Sequence, residues 1–137
     1  MLQFVWNTMS QYVWIAFAGA LGALCRFGSS RACQALLGDQ FAWGTLIVNL
    51  IGCFLLGFLM HFGLTSDKLS AETRTAISVG FLGALTTFST FSYETVCYLE
   101  DSNWMAATMN ISANLVIGLA ATFGGLALAR TLLGGTS

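Results

Sequence analysis

The hydrophobic residues of the chain fall into four long runs that short polar stretches separate. The runs cover about residues 12–37, 41–64, 76–99 and 104–129. Each exceeds the ~20 residues with which an α-helix, rising 1.5 Å per residue, crosses a hydrocarbon layer of ~30 Å. The pattern therefore predicts an all-α membrane protein, with one domain of four transmembrane helices over residues 1–137.

The composition supports the membrane assignment and excludes several classes of protein. Of 137 residues, 56% are hydrophobic and 8% are charged, whereas an ordinary soluble domain has roughly 25% charged residues. The net charge of −1 and the lack of a Lys/Arg cluster argue against a nucleic-acid partner. Four spans leave no room for a soluble catalytic domain, so the chain is not expected to be an enzyme. The first run lacks a basic flank, which predicts a retained span rather than a signal peptide.

The third run contains the sequence GALTTFSTFSYE, from Gly83 to Glu94, where an uninterrupted apolar helix would be expected. A glycine followed by two threonines weakens a helix, and non-helical backbone at membrane depth is tolerated only where protein, water or an ion meets its polar groups. The segment therefore predicts a broken third helix. Phe88, Phe91 and Glu94 follow at steps of three and share one side of the helix.

Polar side chains also recur at helical spacing in two other runs. Thr45 and Asn49 are four residues apart, as are Asn110 and Asn114. Such residues can be hydrogen-bonded contacts between helices, or two facing rows can line a path for an ion. Neutral amide donors together with the electropositive edges of phenylalanine rings, without Lys or Arg, favour a weak-field route for an anion. Carbonyls released at the broken helix would suit a small cation.

The basic residues give only a weak orientation signal. Lys68, Arg74 and Arg130 lie on one side of the predicted membrane, Arg31 lies on the other, and Arg26 lies deeper in the first span. Because loop Lys and Arg residues set the orientation of such proteins, this small bias allows insertion in both directions. Two copies in opposite orientations could then form an antiparallel dimer.

The small residues and cysteines in the spans are expected to pack the helices and to have no separate function. The pairs at i and i+4 predict close helix packing; they are Gly19/Ala23, Gly80/Ala84 and Ala120/Gly124. The cysteines show no C-x-x-C spacing and are expected to be small apolar fillers. They are Cys25, Cys33, Cys53 and Cys97. His61 is expected to lie at the membrane interface.

Three motifs resemble one known family along nearly the whole chain. GALCRF (Gly22–Phe27), GTLIVNLIG (Gly44–Gly52) and above all GFLGALTTFSTFSYE (Gly80–Glu94) look like the Fluc, or CrcB, fluoride channels. The resemblance implies a passive fluoride channel of the bacterial inner membrane that exports fluoride and gives resistance to it. It also implies an antiparallel, dual-topology homodimer with a broken third helix and a structural Na⁺ at its centre.

The resemblance also assigns roles to individual positions of this sequence. Gly83 and Thr86 would bind Na⁺ through their carbonyls, and Arg26 and Glu94 would have vestibule or structural roles. Asn110 and Asn114 stand where members of the family often have Tyr or Asn followed by Ser. The expected fluoride pore comprises Thr45, Asn49, Phe88, Ser89, Phe91, Asn110 and Asn114.

Two other functions stay open on the sequence. A small dual-topology exporter of organic cations, coupled to protons, also has four spans, but it usually needs an acidic residue in the first one. Here the first span contains Arg26 and no acid, and Glu94 in the third run is the remaining candidate. The second possibility is a scaffold subunit that transports nothing and uses its polar residues only for helix packing.

Overall fold

The computed structural model describes residues 2–66 and 68–133, with side chains from residue 8 onward, and everything described is helix or short connection. We number the helices α1 (Leu2–Leu37), α2 (Trp43–Thr65), α3 (residues 71–85), α4 (Phe88–Glu100) and α5 (Trp104–Leu132). Together α3 and α4 form the third span. Within the described residues four spans are long and apolar enough to cross a membrane, which confirms the predicted all-α, four-span architecture.

Local signals explain where the helices begin and end. Gly38, with φ of +82°, follows the last residue of α1 and has the left-handed conformation that glycine adopts without strain. Ser70 accepts a hydrogen bond from Thr73 N at the start of α3, and Asn103 accepts one from Ala106 N at the start of α5. The first helix begins at Leu2, earlier than the predicted run, because residues 2–11 contain neither Gly nor Pro to stop it. Wide π-helical turns occur in α3 and α5.

Glycines allow α2 to pack closely against α5. A Cβ at Gly57 would fall well inside 3.0 Å of the Thr122 carbonyl oxygen, and one at Gly125 would do the same with the Phe54 carbonyl oxygen. Real Cβ atoms essentially never approach so closely. At Gly124, for which the sequence predicted close helix packing without naming the partner helix, a Cβ would only reach the Phe54 ring at 3.8 Å. The closest approach is therefore one residue further along α5 than predicted.

The α1–α3 contact uses glycines in the same way. A Cβ at Gly80 would lie 2.8 Å from the Ile15 carbonyl oxygen, and one at Gly22 would overlap the Phe81 carbonyl. Here the predicted small residue Gly80 does lie at a close approach between helices. The rest of α1 is largely exposed, since only 6% of its most apolar 18-residue stretch is buried within the chain. An apolar surface of that extent requires lipid or another protein surface around it.

Two apolar clusters hold the bundle together around the third span. One contains Val48 and Leu59 from α2 with Leu82 and Leu85 from α3. The second packs the start of α2 against the start of α5 and consists of Phe41, Leu46 and Ala106. Because Leu82 and Leu85 are buried immediately before α3 ends, the backbone that follows them is held against α2.

Candidate functional site

The third span is interrupted at two threonines. Helical geometry ends at Leu85, Thr86 is extended with φ −83° and ψ 154°, Thr87 is extended with φ −152° and ψ 116°, and α4 begins at Phe88. Gly83, which the sequence suggested as the weak point, is itself helical with φ −64° and ψ −33°. The non-helical backbone therefore lies at the threonines.

Side-chain hydroxyls stabilise both helix ends at the interruption. Thr86 Oγ1 donates to the Leu82 carbonyl oxygen at 2.9 Å, and this carbonyl also accepts the Thr86 N–H at 3.0 Å. Thr87 Oγ1 accepts the Thr90 N–H at 3.2 Å and so caps α4. Thr87 Oγ1 thus takes the place of the Thr86 carbonyl, which would accept the Thr90 N–H in a continuous helix, and Thr86 Oγ1 adds a second donor to the last helical bond of α3.

Asn49 of α2 bridges the interruption. Its Oδ1 accepts the Thr87 N–H at 2.8 Å, and its Nδ2 donates to the Thr87 carbonyl oxygen at 3.2 Å. In a continuous helix the Thr87 N–H would have donated to the Gly83 carbonyl four residues earlier. Because the N–H is turned toward Asn49, the Gly83 carbonyl loses that helical partner.

The amides of α5 continue from Asn49. Asn49 Nδ2 donates to Asn114 Oδ1 at 2.9 Å, and Asn114 Nδ2 donates to the carbonyl and side-chain oxygens of Asn110, each at 3.0 Å. Asn110 is 0% exposed and donates to Thr95 Oγ1 at 2.9 Å and to the Phe91 carbonyl oxygen at 3.4 Å. The two rows of polar residues that the sequence predicted thus meet in the structure.

The two phenylalanines of the motif differ in their surroundings. Phe88 is 74% exposed, whereas Phe91, one turn later, is 8% exposed. Their ring centroids lie 5.5 Å apart with an interplanar angle of 59°, so the two rings are in contact and tilted relative to each other. In the single chain, Phe88 has a large free surface at the site.

A hydroxyl–carboxylate pair lies further along α4. Thr45 Oγ1, buried on α2, donates to Glu94 Oε1 at 2.7 Å. The other carboxylate oxygen, Oε2, is buried and has no hydrogen-bond partner among the described residues. Thr45 and Glu94 therefore extend the polar interior from the interruption toward one end of the bundle.

Three adjoining cavities follow these residues. The first, about 280 Å³, lies between Asn49, Gly83, Thr87 and the two motif phenylalanines. The second, about 260 Å³, is lined by Arg26, Thr45 and Thr87, and the third, about 330 Å³, by Thr45 and Glu94 among others. Thr87 lines the first and second cavities and Thr45 lines the second and third, so the cavities form a row.

The structure brings most of the predicted site residues to this row. Arg26 is half-buried in the second cavity, and Gly83 and Thr86 line the first. Ser89 is exposed and its hydroxyl lies 3.2 Å from Thr87 Oγ1. Two predicted pore residues, Ser89 and Asn110, line none of the three cavities, and Asn110 is fully buried.

Sequence reasoning missed several residues of this region, among them Thr87, which lines two of the cavities. Ser30 lines two of the cavities and lies one helical turn after Arg26, which was an available signal. Thr90 lines the second cavity, and Cys53 lines the first one turn after Asn49. The cysteine was predicted to be a filler, because spacing alone gave no reason to place its side chain beside Phe88.

The electrostatics at the start of α4 favour an anion. The N–H groups of Phe88 and Ser89 are the first of the helix and precede its first internal hydrogen bonds. The aligned peptide dipoles of the 13-residue helix place partial positive charge at this end. Hydroxyls, ring edges and a helix N-terminus can together bind a small anion without a cationic side chain in contact.

Comparison with known proteins agrees with the motifs. A sequence model of the family described as CrcB-like protein, Camphor Resistance (CrcB), matches residues 13–126. A protein of Citrifermentans bemidjiense is 47% identical over 124 residues, which are 90% of this chain and 100% of the relative. One of Dehalococcoides mccartyi is 45% identical over 90% of this chain and 95% of its own. A protein of Geobacter sulfurreducens is 43% identical over 90% of this chain and 100% of its own length. All three are named fluoride-specific ion channel FluC.

The match covers all four spans and includes the interruption with its asparagine bridge. With four helices of membrane-spanning length, the chain is a multi-pass protein of the bacterial plasma membrane. The family model, and relatives this similar along almost their full length, identify the chain as a member of the CrcB family.

Proposed function

We propose that this protein is a channel, not an enzyme, that lets fluoride leave the cell passively and thereby gives fluoride resistance. The observation that carries the proposal is the row of three cavities along the interrupted third span, which share Thr45 and Thr87 as lining residues. The relatives' name, fluoride-specific ion channel, supports the choice of ion.

The proposed path is lined by neutral groups that bind an anion only weakly. Fluoride exchanges water for the Ser89 hydroxyl, for the first N–H groups of α4 and for the edges of Phe88 and Phe91. Thr45 and Asn49 shape the wall of the path, since their donors already bond Glu94, Thr87 and Asn114. Since an ion must leave a pore as easily as it enters, neutral donors serve better than a fixed cation. Asn110 and Asn114 form the second layer of this wall on α5. Arg26, at the second cavity, attracts the anion toward the path.

The proposed functional unit is an antiparallel homodimer of dual-topology subunits. Phe88 is 74% exposed in one chain although it lies beside the cavity that Phe91 and Asn49 line. A second copy placed against this surface would cover the ring and close the open side of the path. The weak charge bias of the loops allows the two copies to insert in opposite directions.

The residues at the interruption fit a structural Na⁺ between the two subunits. The Gly83 carbonyl lacks its helical N–H partner because Thr87 N donates to Asn49, and Thr86 is extended. Both residues line the open first cavity, and carbonyl oxygens are the hard ligands that such a cation prefers. Bound there, the ion would hold the two interruptions together and add positive charge near the anion path.

The test is fluoride efflux from liposomes. Vesicles loaded with KF and reconstituted with purified protein receive valinomycin, and a fluoride electrode follows release beside a KCl-loaded chloride control. We expect fast fluoride release and no chloride release. Folded protein that releases no fluoride would refute the channel and favour a scaffold.

The rings are tested in the same assay. We expect Phe88→Ile and Phe91→Ile each to lower efflux by about tenfold, since an aromatic contact contributes about 0.5–1.5 kcal/mol. Size-exclusion profiles should match the wild type, because neither change removes backbone contacts. Unchanged efflux in both variants would remove the rings from the proposed path.

A further inference from the structure

Three asparagines from two helices form one hydrogen-bonded chain, which begins in the wall of the first cavity with Asn49 and Asn114. It runs from Asn49 on α2 to Asn114 and then Asn110 on α5, through bonds of 2.9 and 3.0 Å. One end holds the Thr87 N–H and carbonyl oxygen at the interruption. The other end holds Thr95 Oγ1 and the Phe91 carbonyl oxygen on α4. The chain therefore connects two points of the third span through two other helices.

The amide hydrogens of this chain are all directed at protein atoms. Asn49 directs Nδ2 at Thr87 O and Asn114 Oδ1, and Asn114 directs Nδ2 at the two oxygens of Asn110. Asn110 directs its own Nδ2 at the third span and is fully buried, so water has no access to replace a lost partner. An amide carries two N–H hydrogens, and none remains on Asn114 for an ion.

The Asn114 oxygen reinforces the orientation of Asn49. Asn49 needs its oxygen toward the Thr87 N–H and its NH₂ group toward both the Thr87 carbonyl and Asn114 Oδ1. With the amide turned over, NH₂ would face the Thr87 N–H, and the Asn49 oxygen would face both the Thr87 carbonyl and the Asn114 oxygen. Asn114 thus adds a third partner, on another helix, to the orientation in which Asn49 holds both backbone groups of Thr87.

We propose that Asn114 is a positioning residue for fluoride passage: it orients Asn49, which fixes the backbone of Thr87 and so sets the angle at which α4 leaves the interruption. This proposal rests on the proposed function and gives Asn114 a role without contact to the ion. The start of α4 includes the Phe88 ring, the Ser89 hydroxyl and the first free N–H groups, so an error in its direction misplaces all of them.

The experiment compares Asn114→Ala with Ser112→Ala. Ser112 lies on the same helix two residues earlier, is exposed and lies outside the hydrogen-bonded chain. Fluoride efflux is measured in liposomes, and exchange of the Thr87 N–H is measured by hydrogen–deuterium exchange in detergent. For Asn114→Ala we expect efflux to fall and Thr87 exchange to rise, each by about tenfold, because a buried partner is left unsatisfied. Ser112→Ala should change neither.

The outcomes separate the possible roles. Reduced efflux with unchanged Thr87 exchange would overturn the proposal and place Asn114 in direct contact with fluoride. Wild-type values in both measurements would overturn it as well. Wild-type protein that conducts no fluoride would refute the channel itself, while the exchange measurement would still decide whether Asn114 holds Thr87. If Asn114→Ala does not fold, Asn114→Leu replaces it, because leucine has nearly the shape of asparagine but no oxygen to accept from Asn49, and the same results are expected.

Discussion

Gly52 on α2 lies directly against the interruption of the third span, and its replacement by alanine tests the geometry of the site. A Cβ at this position would fall well inside 3.0 Å of Thr86 Cγ2 and 3.6 Å from Thr86 Cβ. Non-bonded carbons settle at about 3.5–4.0 Å. The methyl groups of Gly52→Ala and Thr86 must therefore separate by more than about 0.5 Å.

Thr86 has little freedom to move away. Its Oγ1 donates to the Leu82 carbonyl oxygen at 2.9 Å, which fixes χ1 of a β-branched side chain. In only one of the other two staggered rotamers of Thr86 does Hβ, and not the methyl or the hydroxyl, face Gly52. That rotamer breaks the hydrogen bond from Oγ1 to the Leu82 carbonyl, at a cost of about 0.5–1.5 kcal/mol. The alternative is a shift of α2 or of the extended backbone. Overpacking of this kind costs about 1–3 kcal/mol.

The assay combines thermal unfolding in detergent with fluoride efflux from liposomes. For a chain of this length, a loss of 1–3 kcal/mol corresponds to a Tm lower by about 4–12 °C. We expect Gly52→Ala to lower both Tm and efflux, because the residue that must move supplies the extended backbone at the site. Gly124→Ala is the matched control, since its Cβ would only touch the Phe54 ring at 3.8 Å.

A second substitution tests whether the contact between the new methyl group and Thr86 causes the loss. Thr86→Ser removes Cγ2 but keeps the hydroxyl that bonds Leu82, so Gly52→Ala with Thr86→Ser should regain most of the lost stability and efflux. The two changes are in contact, so non-additivity is expected on physical grounds. If the double variant loses as much as the sum of the single ones, the clash with Thr86 is not the cause.

Two further predictions concern the helix packing. Gly125→Ala should lower Tm by about 4–12 °C, because its Cβ would overlap the Phe54 carbonyl oxygen, whereas Gly124→Ala should leave Tm unchanged or raise it. Arg74→Ala should cost about 1 kcal/mol, since Arg74 Nη1 donates to the Gly63 carbonyl oxygen near the end of α2. Lys68→Ala, an exposed change in the connection before α3, is its control in the same thermal scans. Equal Tm values for the two members of either pair would contradict the packing argument.

The number of helices and the location of the site could be predicted from the sequence because both depend on local patterns. Four apolar runs without proline give four spans, and the adjacent threonines of the motif mark the interruption within the third span. Thr45 and Asn49 were predicted to share a face, and both do reach the third span, at Glu94 and Thr87.

The partners of the polar residues could not be predicted in the same way. Helical period tells which side chains share a face, but not the register at which that face meets another helix. This register follows from backbone approaches such as those at Gly57 and Gly125, and the latter lies one residue from the predicted small-residue position. Asn49 therefore bonds the Thr87 backbone, an arrangement that no spacing within α2 could indicate.

The unequal burial of the two motif phenylalanines bears on how two copies of the chain would associate. Phe88 and Phe91 are identical in type and one turn apart, yet the first is 74% exposed and the second 8%. Lipid would satisfy the exposed ring, but it would not satisfy the first N–H groups of α4, because hydrocarbon provides no hydrogen-bond partners. A face that combines a bare aromatic ring with polar groups at membrane depth requires a surface that is both apolar and polar. A second copy of the same face, turned over in the membrane, has that composition, so the chemistry at Phe88 and the proposed antiparallel dimer depend on each other.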